Sequence, residues 1–185
     1  MTYRILIVDD EPDVHTLTRM SLKKMRFNDQ DLELVFHDNG KDAIQELTDH
    51  PDTAVILMDV VMESDSAGLD AVKAIREDLG NEMVRIFLRT GQPGAAPEKK
   101  VIETYDIDGY LSKAELTQTR LFSAVRTGLK SYSELLLLQQ YRDNLTYLNM
   151  ALLNLHATTS RTECLEELTQ IVSALAGSEL TVLYL

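Results

Sequence analysis

Three acidic residues stand where apolar runs stop. Asp9 and Asp10 follow RILIV, and Asp59 closes VILMD. Neighbouring carboxylates raise one another's pKa unless a cation relieves them. An all-oxygen donor set suits Mg²⁺, which keeps several waters and takes one or two carboxylates together with phosphate. Two more polar residues end apolar runs, Thr90 in FLRTG and Lys113 in YLSK. A hydroxyl and an ammonium beside an acidic metal site point to phosphoryl chemistry, in which charge on the phosphoryl oxygens must be neutralised. Asp59 is then the nucleophile and forms an aspartyl phosphate.

For these residues to meet, the runs must be neighbouring strands. Apolar segments at 3–8, 32–36, 55–58, 84–88 and 109–111 alternate with helical patterns at 13–25, 41–49, 69–79 and 98–104, and a fifth helix begins near Glu115. Five βα units of this length predict an α/β fold: a doubly wound, five-stranded parallel sheet covered by helices on both faces. In a flavodoxin-like order 2-1-3-4-5 the first and third strands are adjacent, and ligands bind beyond the carboxyl ends of the strands. Asp9, Asp10 and Asp59 converge at that edge.

The fifth helix runs past the point where a small domain should end. Leu138, Tyr141, Leu145, Leu148, Leu152 and Leu155 are spaced 3, 4, 3, 4, 3. That is a short heptad seam, readable as a parallel dimeric coiled coil or as an amphipathic helix packed on its own domain. The dimer is the preferred reading, because the first domain already has helices enough to cover its sheet. The helical pattern breaks near 157–160. A further helix at 164–175 and the strand-like LTVLYL at the end read as the truncated opening of a second α/β domain. The expected organisation is a first domain at 1–128, a helical linker at 129–160 and that partial domain at 161–185.

The chain has 185 residues, 44% hydrophobic, and a formal net charge of −12. Without a basic patch, such a chain should not bind nucleic acid. Its single cysteine, Cys164, rules out an internal disulfide and a Cys-based zinc site. The longest pure leucine run, 135–138, is far short of a membrane span. A cytoplasmic protein with no membrane contact is expected. His15, His37, His50 and His156 have no metal-ligand spacing. DIDGYLSKAEL partly fits a calcium-binding EF-hand loop, but Thr104 stands where the first carboxylate is required.

VDDE, the strand-terminal Asp59, Thr90 and Lys113, in that order, resemble the receiver domain of bacterial two-component response regulators over roughly residues 3 to 128. That resemblance implies that Asp59 accepts a phosphoryl group from a histidine kinase or phosphotransfer protein. It implies Mg²⁺ held directly by Asp10, Asp59 and the Val61 carbonyl, with Asp9 acting mainly through a metal-bound water. Thr90 would contact the phosphoryl group, and Tyr110 would be the aromatic switch that turns inward with it. A homodimer is implied through the C-terminal helix, or through the face made by the fourth helix, fifth strand and fifth helix. The family's usual proline after the lysine is replaced by Ala114, and the loop from Asp59 to Gly68 is one residue longer than usual. DVVMESDSAGL, LRTGQPGAAPE and YDIDGYLSKAELT resemble a narrower group. Its receivers precede a sensor-like, GAF-like domain and often a cyclic-di-GMP phosphodiesterase of the HD-GYP type. Two other functions stay open: a phosphorylation-independent dimerisation module, and a metal-dependent phosphatase on the same fold. The phosphatase would want an acid where Val61 stands.

Overall fold

The structure, a computed structural model, describes residues 2–91, 104–115, 117–157 and Thr169. Two compact units are distinguished, Met1–Glu134 and Leu135–Leu185. The expected helix at 98–104 lies almost wholly outside the described residues. So do the GQPGAAP loop, the break near 157–160, the helix at 164–175, the final strand and the side chains of Leu152 and Leu155.

In the first unit the chain runs β1 (Tyr3–Val8), α1 (Pro12–Leu22), β2 (Arg26–Phe27), β3 (Gln30–His37), α2 (Gly40–Asp49), β4 (Val55–Asp59), α3 (Ala67–Lys73), β5 (Arg85–Thr90) and β6 (Gly109–Ser112). A 3-10 turn at Lys113–Glu115 leads into the long helix α4 (Gln118–Ala157), whose later part belongs to the second unit. The sheet order is β2-β3-β1-β4-β5-β6. Apart from β2, this is the expected doubly wound parallel sheet. Among the described residues the sheet has six strands rather than five, because β2 adds an antiparallel edge to β3 through Arg26↔Asp31 and Phe27↔Gln30. Asn28 and Asp29, both with positive φ (49° and 59°), make the turn between them. These residue types tolerate the left-handed region best after glycine.

Strand alternation divides the core. Leu6, Val8, Ile56, Met58, Ile86 and Leu88 pack with Ala43 and Leu47 of α2 and with Ala71 and Val72 of α3. The alternate residues Ile5, Ile7, Val55, Leu57 and Phe87 are equally buried, as are Leu22, Leu121, Val125 and Leu129 of α1 and α4. Gly128 permits close contact on that second face: a Cβ there would lie 2.7 Å from the Phe87 ring and 3.1 Å from Val55. All of β4 is buried, which suits the apolar VILM run of a central parallel strand.

Local details differ from the sequence reading. Helix α1 spans Pro12–Leu22 rather than the expected 13–25, with Glu11 at the cap position, no side-chain cap, and Asp13 in the first turn. Proline suits the first helical position because its missing N–H is not needed there. The helix expected over 69–79 is α-helical only to Lys73 and continues as a π-helical turn, Ala74–Asp78. Arg76 fastens that turn: its guanidinium donates to the carbonyls of Asn81 (2.6 Å), Val84 (3.0 Å) and Asp106 (3.0 Å). Among the described residues no peptide bond is cis, so Lys113–Ala114 is trans.

The first turn of α3 is seated directly on the end of β4. Gly68 N–H donates to the Val60 carbonyl at 3.0 Å. A Cβ on Gly68 would fall 1.8 Å from the Asp59 carbonyl oxygen and 2.9 Å from the Val60 Cα, both backbone atoms that cannot yield cheaply. Gly68→Ala is therefore expected to destabilise the first unit by about 2–3 kcal/mol, measured by urea unfolding. A loss below the precision of that measurement would contradict the packing described here.

Candidate functional site

The pocket lies at the carboxyl edge, where β1, β4 and β5 end side by side. The pairs Ile7↔Leu57 and Val8↔Met58 carry β1 and β4 in step towards Asp9 and Asp59. Asp59 itself pairs with Arg89 of β5. The Asp9 N–H donates to the His37 carbonyl at 3.1 Å and the Val60 N–H to the Arg89 carbonyl at 2.9 Å, so the ladders continue to the pocket floor. Carboxylate oxygens of Asp9, Asp10 and Asp59 lie within 4.8 Å of one another. Asp9 and Asp59 are buried and Asp10 is exposed on the rim.

Lys113 braces this group. Its Nζ donates to Asp59 Oδ2 at 2.9 Å, to Glu11 Oε1 at 2.7 Å and to Asp9 Oδ1 at 3.3 Å. Glu11 therefore joins the pocket rather than simply facing solvent. Asp59 Oδ1 accepts from the Val60 N–H at 2.9 Å, and Asp9 Oδ1 accepts from the Glu11 N–H at 3.1 Å. Asp10 has no protein donor to its carboxylate among the described residues.

Burial pushes the Asp59 carboxyl above its ordinary value, and the charge of Asp9 adds to that, while the Lys113 hydrogen bond opposes it. For Lys113, burial disfavours the charged form, but hydrogen bonds to Glu11 and Asp59 outweigh it and the ammonium titrates well above its ordinary value. The Lys113 hydrogen bond also holds Glu11 below the usual carboxylate range.

Thr90 and Tyr110 fall on the other face. Thr90 is one residue on from Arg89 and is buried at the end of β5. Tyr110 pairs with Leu88 and is half-buried against the cluster containing Leu6, Met58 and Leu88. Val61, two residues past Asp59, has an exposed side chain. Arg89, which stands just before Thr90 in FLRTG, also belongs to the pocket without being one of the expected site residues: the side chain is 0% exposed, and its Nη2 donates to Asp9 Oδ2 at 3.1 Å. Parity along the strand was the available signal. Residues 55, 57 and 59 share one face of β4, and 87 and 89 share the matching face of β5.

A doubly wound sheet with acidic residues and one lysine gathered at its carboxyl edge defines a class of α/β signalling domains. The chain belongs to the response regulator receiver domain family, whose model matches residues 5–126. It is 38% identical over 178 residues to 3′3′-cGAMP-specific phosphodiesterase 2 of Vibrio cholerae serotype O1, covering 94% of this chain and 34% of that protein. The chain thus spans about a third of the length of that curated relative. Among solved structures it resembles the signal receiver domain of a putative Luxo repressor protein from Vibrio parahaemolyticus, with TM-score 0.63 and 20% identity over 75% of this chain and 98% of that one. It also resembles the signal receiver domain of an HD domain-containing protein from Pseudomonas fluorescens Pf-5, with TM-score 0.61 and 20% identity over 72% of this chain and 90% of that one. At these identities the structural likeness shows the fold. No helix among the described residues is long and apolar enough to cross a membrane.

A carboxyl whose pKa is raised by folding contributes stability below its unfolded value, near pH 4, and that stability is lost as pH rises through the folded value. At neutral pH the ionised Asp59 therefore weakens the metal-free fold. Asp59→Asn is expected to raise the thermal midpoint by a few degrees in chelator at pH 7, with the gain shrinking towards pH 4. A midpoint that falls at pH 7 would mean that the lost Lys113 contact outweighs the relief of charge.

Proposed function

We propose that this chain is a phosphorylation-controlled switch in which Asp59 accepts a phosphoryl group from a histidine kinase or phosphotransfer protein. The observation that supports it best is the Asp59 carboxylate, fixed at the mouth of β4 with the Lys113 ammonium 2.9 Å away. The donor set fits Mg²⁺: oxygens of three carboxylates lie within 4.8 Å of one another at a half-open edge, as a hard cation with several waters requires. Asp10, Asp59 and the Val61 carbonyl would hold the ion directly, and Asp9 would act through a water. Bound there, Mg²⁺ supplies positive charge to the phosphoryl oxygens.

The chain's own residues do the rest. An oxygen of ionised Asp59 attacks the phosphorus of the donor phosphohistidine. The P–O bond forms as the P–N bond breaks, and the imidazole leaves with its electron pair and takes a proton. Lys113 shifts its ammonium from the carboxylates to the new phosphoryl group, and the Thr90 hydroxyl donates to another phosphoryl oxygen. Tyr110 turns further inward as Thr90 moves. The face carrying β6 and the start of α4 then changes, which is how a local charge event becomes a signal.

A second copy of this chain is the proposed partner of the helix. Leu138, Tyr141 and Leu145 of the seam are 62%, 57% and 61% exposed, an apolar stripe that a parallel coiled coil would cover. The likeness to a phosphodiesterase over a third of its length supports cyclic-dinucleotide hydrolysis as the output this switch controls.

Acetyl phosphate with Mg²⁺ should add one phosphate to the chain by intact mass, and Asp59→Ala should add none. Sedimentation with and without beryllofluoride should then show a change in dimer population. A chain that dimerises equally in both states would favour the phosphorylation-independent module. Turnover of small phosphate esters would favour the phosphatase.

A further inference from the structure

Arg89 is the largest fully buried side chain among the described residues. Its Nη2 donates to Asp9 Oδ2 at 3.1 Å and its Nη1 to Thr18 Oγ1 of α1 at 3.2 Å. Its Nε is buried without a hydrogen-bond partner among the described residues. Placing a guanidinium here is costly, and an apolar side chain of similar length would fill the same space without that cost. The position therefore calls for a charge rather than for volume.

We propose that Arg89 is a positioning residue that acts as the internal counter-ion of Asp9, holding that carboxylate away from the metal and lowering the pocket's affinity for a divalent cation. This rests on the Mg²⁺ reading of the pocket. Both oxygens of Asp9 are already engaged. Oδ1 accepts from the Glu11 N–H and Lys113, and Oδ2 accepts from Arg89 with Lys113 Nζ at 3.2 Å. Asp10, by contrast, has its oxygens open at the rim.

The two cations of the pocket differ in freedom. Lys113 is partly exposed, on a 3-10 turn, and can withdraw its ammonium when another cation enters. Arg89 is enclosed on every side and cannot. Its charge remains beside the incoming ion, where repulsion in a half-buried site is only partly screened. Removing Arg89 frees Asp9 to turn towards the ion and deletes a fixed positive charge, and both effects tighten divalent binding.

Mg²⁺ binding to the full chain is measured by calorimetry for the wild type, Arg89→Met and Arg89→Lys. Arg89→Met is expected to bind about tenfold tighter and to gain more thermal stability from Mg²⁺ than the wild type does, since stabilisation follows ligand affinity. Arg89→Lys retains a cation paired with Asp9 but loses the guanidinium fork, and should bind Mg²⁺ more like the wild type than like Arg89→Met. An Arg89→Met affinity that is unchanged or weaker overturns the proposal, as does Arg89→Lys tightening to the same extent. Should Arg89→Met be unfolded without metal, recovery of helical signal below the wild-type Kd for Mg²⁺ supports it, and failure to fold in saturating Mg²⁺ overturns it. A wild-type chain that binds no Mg²⁺ removes the metal reading itself, whereas a binding wild type with an indifferent Arg89→Met removes only the role given to Arg89.

Discussion

The molecule is organised around one electrostatic problem. Asp9, Asp10 and Asp59 are brought to within 4.8 Å of one another, two of them out of contact with water, and Glu11 adds a fourth acid at the rim. Such a group cannot persist without counter-charge. The chain supplies it from two directions: Lys113 from the turn after β6 and Arg89 from β5. The order of the central strands delivers these groups to one edge. Placing β1 beside β4 joins the acids, and placing β5 beside β4 puts Arg89 opposite Asp59.

Much of this was legible in the sequence because the chemistry sits at strand ends. An apolar run that stops at an acid is a strong local signal, and the crossover rule for doubly wound sheets supplies the adjacency. Arg89 was harder to place. Beside Thr90 in the sequence it reads equally well as a charge that steers anions or as an exposed ion pair. Only the alternation of side chains, carried across three strands in register, sends it inward. The two-residue strand β2 has no hydrophobic period to detect, and it depends on a tight turn at Asn28 and Asp29. The π-helical turn at 74–78 was invisible for another reason. It goes with Arg76 reaching the Asp106 carbonyl, thirty residues along the chain, a tertiary contact that no local helical pattern carries. The start of α1 at Pro12, one residue before the expected 13, follows from proline's fit to a first helical turn.

Consecutive residues of β5 serve opposite faces. Arg89 points towards α1, where it reaches Thr18, and Leu88 packs in the cluster that takes in Tyr110. One strand end thus meets both the rigid charge of the pocket and the packing that surrounds Tyr110. The Asp59 backbone is itself pinned from outside by Gly68, so displacement of the loop beyond it is resisted at its far end. A pocket with a fixed floor and one mobile ammonium suits a site where charge arrives and departs.

The little antiparallel ribbon of β2 has a bearing on how copies of this chain can meet. An open sheet margin invites another backbone to extend it. Here the outer margin of β3 is partly taken by Arg26 and Phe27, and what remains carries Asp31 in an ion pair with Arg26 and the charged Glu33 bound to Arg4. Fusing two sheets along that border would require stripping water from these groups, which disfavours strand exchange there.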